Sequence, residues 1–224
     1  MQNERSAPAG YYDEPRPEVT KCIPDNARFV IDVGCASGAL GRSIKAARPG
    51  IEVRGIELVS EQAERARQVL DDVMNGAAED TLPSHWPAPD CVIFADVLEH
   101  LVDPWAVVKK YRKVLRPGGT VIASVPNVTN HKVLGGLFRL RWDYAEFGIL
   151  DRTHLRFFTR DTALEMFEEA GFQIGYVGRT LEAFASKRFF RSIISRETGR
   201  KRIFPRPFAW LVDAYTCQFI IVAS

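Results

Sequence analysis

The stretch that decides the fold is Val30-Ile31-Asp32-Val33-Gly34-Cys35-Ala36-Ser37-Gly38-Ala39-Leu40-Gly41. The apolar run from Phe29 to Val33 predicts a parallel strand buried on both faces. It ends in small residues and passes into a helix predicted from about Gly38 to Ala47. Small residues let a ligand approach the backbone closely, and the first turn of a helix offers free N–H donors. A nucleotide-like ligand is the first expectation.

The glycine spacing narrows the choice of ligand. A dinucleotide fingerprint reads G-x-G-x-x-G, whereas position 36 is alanine and the glycines fall at 34, 38 and 41. A phosphate-cradling loop needs Gly-Lys-Ser/Thr, which is absent here. Both phosphate readings weaken.

Outward from this turn, strand-like runs alternate with amphipathic stretches, the pattern of βαβ units. Ile51 to Glu57 reads as the second strand, and Ser60 is expected to cap a helix with apolar positions Ala63, Ala66, Leu70 and Val73. Cys91 to Ala95 is the fourth strand, and Asp103-Pro104 opens a helix with a buried stripe of Val107, Val108, Tyr111, Val114 and Leu115. Thr120 to Val125 is the fifth strand. Residues 126–158 are aromatic, basic and too long for a simple connector, which predicts a lid over a substrate. Thr159 then caps a helix ending at Ala170-Gly171, and Phe172 to Val177 and Thr216 to Val222 are the last strands.

The chain has 224 residues, 46% hydrophobic and 26% charged, which suits one globular α/β domain and excludes a collagen or a disulfide scaffold. The expected parts are a cap segment (1–27), a cofactor-binding core (28–125), the lid (126–158) and a C-terminal part (159–224). The start, Met1 to Ser6, lacks a basic and apolar leader, and Cys22, Cys35, Cys91 and Cys217 show no C-x-x-C spacing. A cytoplasmic location is expected. The net charge of +2 hides an asymmetry: residues 187–206 hold eight Lys/Arg and one acid, so they carry +7 and the remainder −5.

With these motifs in order, the chain resembles the class I S-adenosylmethionine-dependent methyltransferases over roughly residues 28 to 180. Their first motif is an acid at a strand end before a G-x-G-x-G-like turn; Asp32, Gly34 and Gly38 match, and Ala36 replaces the middle glycine. Glu57 matches the acid that binds both ribose hydroxyls, a role suited to two acceptor oxygens. Asp90 to Pro104, Leu115 to Gly119 and Ser124 to Asn127 continue the likeness.

The resemblance implies a Rossmann-like, seven-stranded, mostly parallel sheet with helices on both faces. It places a lid after strand five and a basic insertion before the last strand. It implies S-adenosyl-L-methionine as cofactor, with contacts from Asp32, Gly34, Cys35, Ala36, Gly38, Glu57, Leu58, Ala78, Glu79 and Asp96. One place departs from the pattern: Asn75-Gly76-Ala77-Ala78-Glu79-Asp80 has alanine where the family carries its adenine-binding aspartate. Either the backbone at 77–78 and the Glu79 carboxylate substitute, or Glu79 is a solvated loop acid.

Methyl transfer to an alcohol needs a base, whereas transfer to an amine need not. On a helix, Asp96, Glu99 and His100 would sit at i, i+3 and i+4 and converge. His100 is then a base held by a carboxylate, or the three bind a divalent cation as in some similar sugar and quinone O-methyltransferases, or Glu99-His100 is a structural corner. The stretch Gly148 to Thr159 resembles one in bacterial methyltransferases found among polysaccharide-biosynthesis proteins. Its His154 is the first choice of base, Asp151 is placed to orient that ring, and Arg156 suits an anionic group.

The expected reaction is methylation of a hydroxyl of a sugar or lipid-linked glycan, with a quinone, phenol or other small natural product as the alternative acceptor. For residues 187–206, contact with an anionic membrane, RNA binding and a solvated extension compete. Ala95-Asp96-Val97-Leu98 lacks the Asn/Asp-Pro-Pro-Tyr of base methylation, and Cys91 begins its strand far from the carboxyl edge. Nucleic acid is therefore the weaker partner.

Overall fold

The computed structural model describes residues 15–81, 84–181 and 212–224. β1 (Phe29–Val33) is buried at all five positions because it lies between two parallel neighbours, β2 (Glu52–Glu57) and β4 (Cys91–Ala95). β3 (Asp72–Asn75) adds parallel to β2, and β5 (Thr120–Pro126) adds parallel to β4. β7 (Thr216–Ala223) runs antiparallel between β5 and β6 (Ile174–Leu181). The order β3-β2-β1-β4-β5-β7-β6 gives the expected seven-stranded, mostly parallel sheet.

The two-residue period of the strands sorts side chains onto the two faces. One face sets Ile31, Val33, Val92 and Phe94 against Val108 and Tyr111 of α4 (Pro104–Val114) and Leu164 and Phe167 of α6 (Arg160–Glu169). The other sets Val30, Val53, Ile93 and Ile122 against Val19 of α1 (Pro17–Thr20), Leu40 and Ile44 of α2 (Ala39–Ala47) and Ala63 and Ala66 of α3 (Ser60–Ala66). The remaining helix, α5 (His131–Phe138), lies in the lid. Asp103 accepts from the Ala106 N–H at 3.0 Å, and Thr159 forms a capping box with Thr162, so both expected caps are present.

Several expectations change. The helix expected to run from Ser60 through Val73 stops at Ala66, and Val73 belongs to β3 opposite Gly55. Asp71 and Asp72 break it: their carboxylates take the backbone N–H groups of Val53 and Val73. Ser60 is the first helical residue and not the cap; Val59 holds that place, and the Ser60 hydroxyl donates to Asn75. β6 begins two residues late, at Ile174, and extends to Leu181. In the lid, α5 buries Val133, while Phe138 and Leu140 are 86% and 96% exposed. Residues 1–14, at the start of the cap segment, and 187–206, the basic insertion, lie outside the described residues.

Candidate active site

Where β1 and β4 lie side by side, the chain goes from β1 to one neighbour and from β4 to the other, leaving a switch point at the carboxyl edge. Four turns meet there: 34–38 after β1, 58–59 after β2, 76–79 after β3 and 96–100 after β4.

The turn after β1 is built from left-handed residues. Gly34, Ala36 and Gly38 have φ of +73°, +46° and +83°. The N–H groups of Gly34 and Cys35 donate to Ile56, which fixes the turn to β2. Gly34 is required twice: a Cβ there would lie 2.5 Å from Val97 Cγ2, on the turn after β4. Ala36 takes the strain the family's glycine avoids. Its N–H donates to Glu57 Oε2 at 2.8 Å, while Val59 N–H donates to Glu57 Oε1 at 2.8 Å.

Each Glu57 oxygen thus accepts from one backbone N–H and keeps a further lone pair, leaving one acceptor for each hydroxyl of a ribose diol. Burial raises the Glu57 pKa, against the lowering effect of the backbone N–H groups of Val59, Ala36 and Leu58. Asp32 is 1% exposed, and its Oδ2 has no hydrogen-bond partner. Burial, and then the Glu57 charge, push it up to about 7, with Arg16 pulling the other way. A buried carboxyl oxygen without a partner, at the end of β1, suits an ammonium-bearing ligand. Leu58 is 57% exposed beside Glu57, Cys35 is a buried thiol, Ala78 is part of the core and Glu79 is half-buried. These residues fit S-adenosylmethionine: an ammonium for Asp32, a diol for Glu57 and open backbone between them.

The turn after β4 differs from the helix expected there. Asp96 is left-handed (φ +56°), and Leu98–His100 is a single 3-10 turn, so Asp96 does not share a helical face with Glu99 and His100. Its carboxylate is occupied by Arg16 Nη1 (2.5 Å), Ser124 Oγ (2.7 Å) and Gln218 Nε2 (2.9 and 3.0 Å). Sequence reading had no signal for Ser124 or Gln218 here, since they are 28 and 122 residues away along the chain.

His154 takes the place expected of Asp96. The N–H groups of Leu155 and Arg156 both donate to the Glu99 carbonyl, which ties the end of the lid to the 3-10 turn. The rings of His100 and His154 meet edge to face with centroids 4.7 Å apart; Phe157 lies 6.3 Å from His154, and Trp142 5.1 Å from Phe157. Burial and the neighbouring His100 lower the pKa of His154, favouring the neutral ring. His154 Nδ1 is 3.1 Å from the Ile149 carbonyl, which only accepts, so this nitrogen carries the proton and Nε2 the lone pair. The Asp151 carboxylate makes no hydrogen bond to the His154 ring; the two residues meet through the backbone, where the His154 N–H donates to the Asp151 carbonyl at 3.1 Å. Asp151 Oδ1 accepts from the Thr153 hydroxyl and N–H, and the Thr153 hydroxyl lies 3.2 Å from His100 Nδ1.

Glu99 is 1% exposed and both its carboxyl oxygens lack partners. Burial, and then Asp96, push its pKa well above the usual carboxylate range. One ligand-capable atom from each of Glu99, His100 and His154 lies within 4.8 Å of the others. This trio, and not Asp96-Glu99-His100, has the donor set of a cation site. Cys91 is fully buried at the far end of β4, as expected.

A Rossmann-like sheet with a glycine turn, a buried acid and a histidine pair at its switch point has the layout of an enzyme that holds an adenosyl cofactor against a second substrate. A family model described as "Methyltransferase domain" matches residues 10–177, and the chain belongs to that family, the class I S-adenosylmethionine-dependent methyltransferases. Among curated relatives, the ubiquinone biosynthesis O-methyltransferase of Xylella fastidiosa (strain 9a5c) is 35% identical over 118 residues, 50% of this chain and 47% of that protein. The Proteus mirabilis protein of the same name is 36% identical over 109 residues, 44% of this chain and 42% of that one. The chain thus spans about half the length of the curated relatives it matches.

The fold is shared with a SAM-dependent methyltransferase of Thermotoga maritima, with a TM-score of 0.63, 18% identity, and 92% and 86% of the two chains covered. It is also shared with human N-acetylserotonin methyltransferase in complex with SAM, with a TM-score of 0.54, 15% identity, and 92% and 50% covered. Among the described residues no helix is long and apolar enough to cross a membrane.

Proposed function

We propose that the chain transfers the methyl group of S-adenosylmethionine to a hydroxyl oxygen of an aromatic small molecule of the phenol or quinol type. The carrying observation is the His100–His154 pair flanked by Phe157 and Trp142, one turn from the residue that packs on Gly34. The curated relatives bear the name of a quinone pathway, which favours this acceptor over the sugar or lipid-linked glycan that the lid motif suggested. Nothing in the described residues supports a lipid-linked acceptor or a membrane contact.

When bound, the cofactor supplies an electrophilic methyl on a sulfonium. The chain supplies the rest. Asp32 holds the ammonium end, Glu57 the ribose hydroxyls, and the backbone of 34–38 lines the approach. The Gly34–Val97 contact sets the acceptor turn against the donor turn, so that positioning and exclusion of water do much of the work. The hydroxyl is activated at the imidazole pair through the Nε2 lone pairs; aromatic faces hold the ring being methylated.

The test is methyl transfer from S-adenosylmethionine to a panel of catechols and simple phenols, with sugar nucleotides alongside, read by mass. Methylated phenols are expected. Methylation of the sugars alone overturns the acceptor class, and loss of donor affinity in Asp32→Ala and Glu57→Ala checks the donor site. His154→Ala should lower turnover by about a hundredfold while leaving the donor Kd in place.

The orphaned Glu99 carboxyl favours a second reading, in which Glu99, His100 and His154 hold a divalent first-row ion, as their nitrogen and oxygen donors suit. Titration of Co²⁺ into the chain, followed by visible absorption, decides it; no absorption change means no such site.

A further inference from the structure

We propose that Asp151 and Thr153 are positioning residues that hold His100 with its proton on Nδ1 and its lone pair on Nε2, making His100 the ring that meets the acceptor. The inference rests on the acceptor site described above and adds to it which imidazole acts and what orients it.

The argument is one of proton counting. The Thr153 hydroxyl donates its single proton to Asp151 Oδ1 at 2.7 Å. Toward His100 Nδ1, 3.2 Å away, it can therefore only accept. The Thr153 carbonyl, 3.3 Å from the same nitrogen, can likewise only accept. Both oxygens require a proton on Nδ1, which in the neutral ring leaves Nε2 bare.

Asp151 is 7% exposed and also takes the Thr153 N–H at 2.8 Å, so the direction of the hydroxyl is fixed from behind. The arrangement is a carboxylate acting on an imidazole through a hydroxyl, and it exists only because the Leu155 and Arg156 N–H groups join the lid to the 3-10 turn. His154 is the more enclosed ring, 8% exposed with its Nδ1 proton given to Ile149 and the rings of His100 and Phe157 in edge contact with it. His100 is only half-buried, the better exposure for a group that must touch a substrate.

Long-range ¹H–¹⁵N spectra of histidine-labelled protein read the tautomer directly. Wild type and Thr153→Ser should show His100 protonated at Nδ1 and bare at Nε2. Thr153→Val and Asp151→Asn should show a mixture of tautomers, with kcat lower by about tenfold or more, KM changed by less than about threefold and the donor Kd unchanged; serine should restore kcat. A wild-type His100 protonated at Nε2 overturns the proposal, even if the valine variant fails to fold. So does a valine variant with unchanged tautomer and turnover. Failure of the phenol assay with the tautomer pattern intact counts against the acceptor class and not against this positioning pair.

Discussion

Gly34 bears two demands that different residues could reveal separately. Its φ of +73° equals that of Gly118, yet a Cβ at 118 meets nothing within 4 Å, whereas at 34 it meets Val97 at 2.5 Å. Backbone strain from a left-handed alanine is about 1–2 kcal/mol. Gly118→Ala should therefore lower the melting temperature by a few degrees and leave the donor Kd alone. Gly34→Ala should add to that strain the displacement of Val97, and with it the Leu98–His100 turn, and weaken donor binding by about tenfold or more. Calorimetric titration of both variants checks the difference; equal donor affinities would show that the two turns are not coupled through this contact. The glycine positions were legible in the sequence, because a strand running into small residues constrains its own turn. The contact was not, because Val97 reaches it from 63 positions along the chain.

At the scale of elements, local signals were most reliable where they are chemically closed. The Asp103 and Thr159 caps are legible in the sequence because a cap is satisfied within three residues of itself. The α3 boundary is not legible in the sequence because Leu70 and Val73 are apolar at helical spacing, yet Val73 is buried by strand pairing with Gly55. The Asp96-to-His100 turn was misread for a similar reason: helical spacing would bring its acids together, but the Arg16 guanidinium, Ser124 and Gln218 compete for Asp96 from other elements. Asp103→Ala tests how far a cap acts alone. Loss of its bond to Ala106 should cost about 1 kcal/mol, lowering the melting temperature by roughly 2–4 °C. α4 packs on the sheet face below the site, so turnover and donor Kd should be unchanged; a loss of donor affinity would mean that α4 transmits strain to the switch point.

The whole molecule converges on Arg16. Its guanidinium joins Glu18, Asp96, Ser124 and Gln218, side chains from the start, middle and end of the chain, and its own backbone is left-handed at φ +44°. Its positive charge also lowers the pKa of two buried acids, Asp32 and Glu99, against the larger effect of burial. Composition does not show such a role, since Arg16 is one of 30 Lys and Arg residues.

For Asp32 the consequence has a definite sign. The carboxyl must be ionised to hold an ammonium group, and its pKa in the donor-free chain is about 7. Above that value donor affinity should be level through this group; below it, binding must expel a proton, and affinity should fall toward about tenfold per pH unit. Between pH 7.5 and 5.5 the donor Kd should rise by roughly an order of magnitude, with proton release visible as a dependence of the binding heat on buffer. Arg16→Gln removes the charge that lowers the pKa, so the same curve should shift to higher pH and leave weaker binding at pH 7. An unshifted curve would mean that Arg16 anchors the N-terminal segment without setting the charge of the donor site. A flat curve in the wild type would mean that Asp32 is already ionised there and that the ammonium is held by another group.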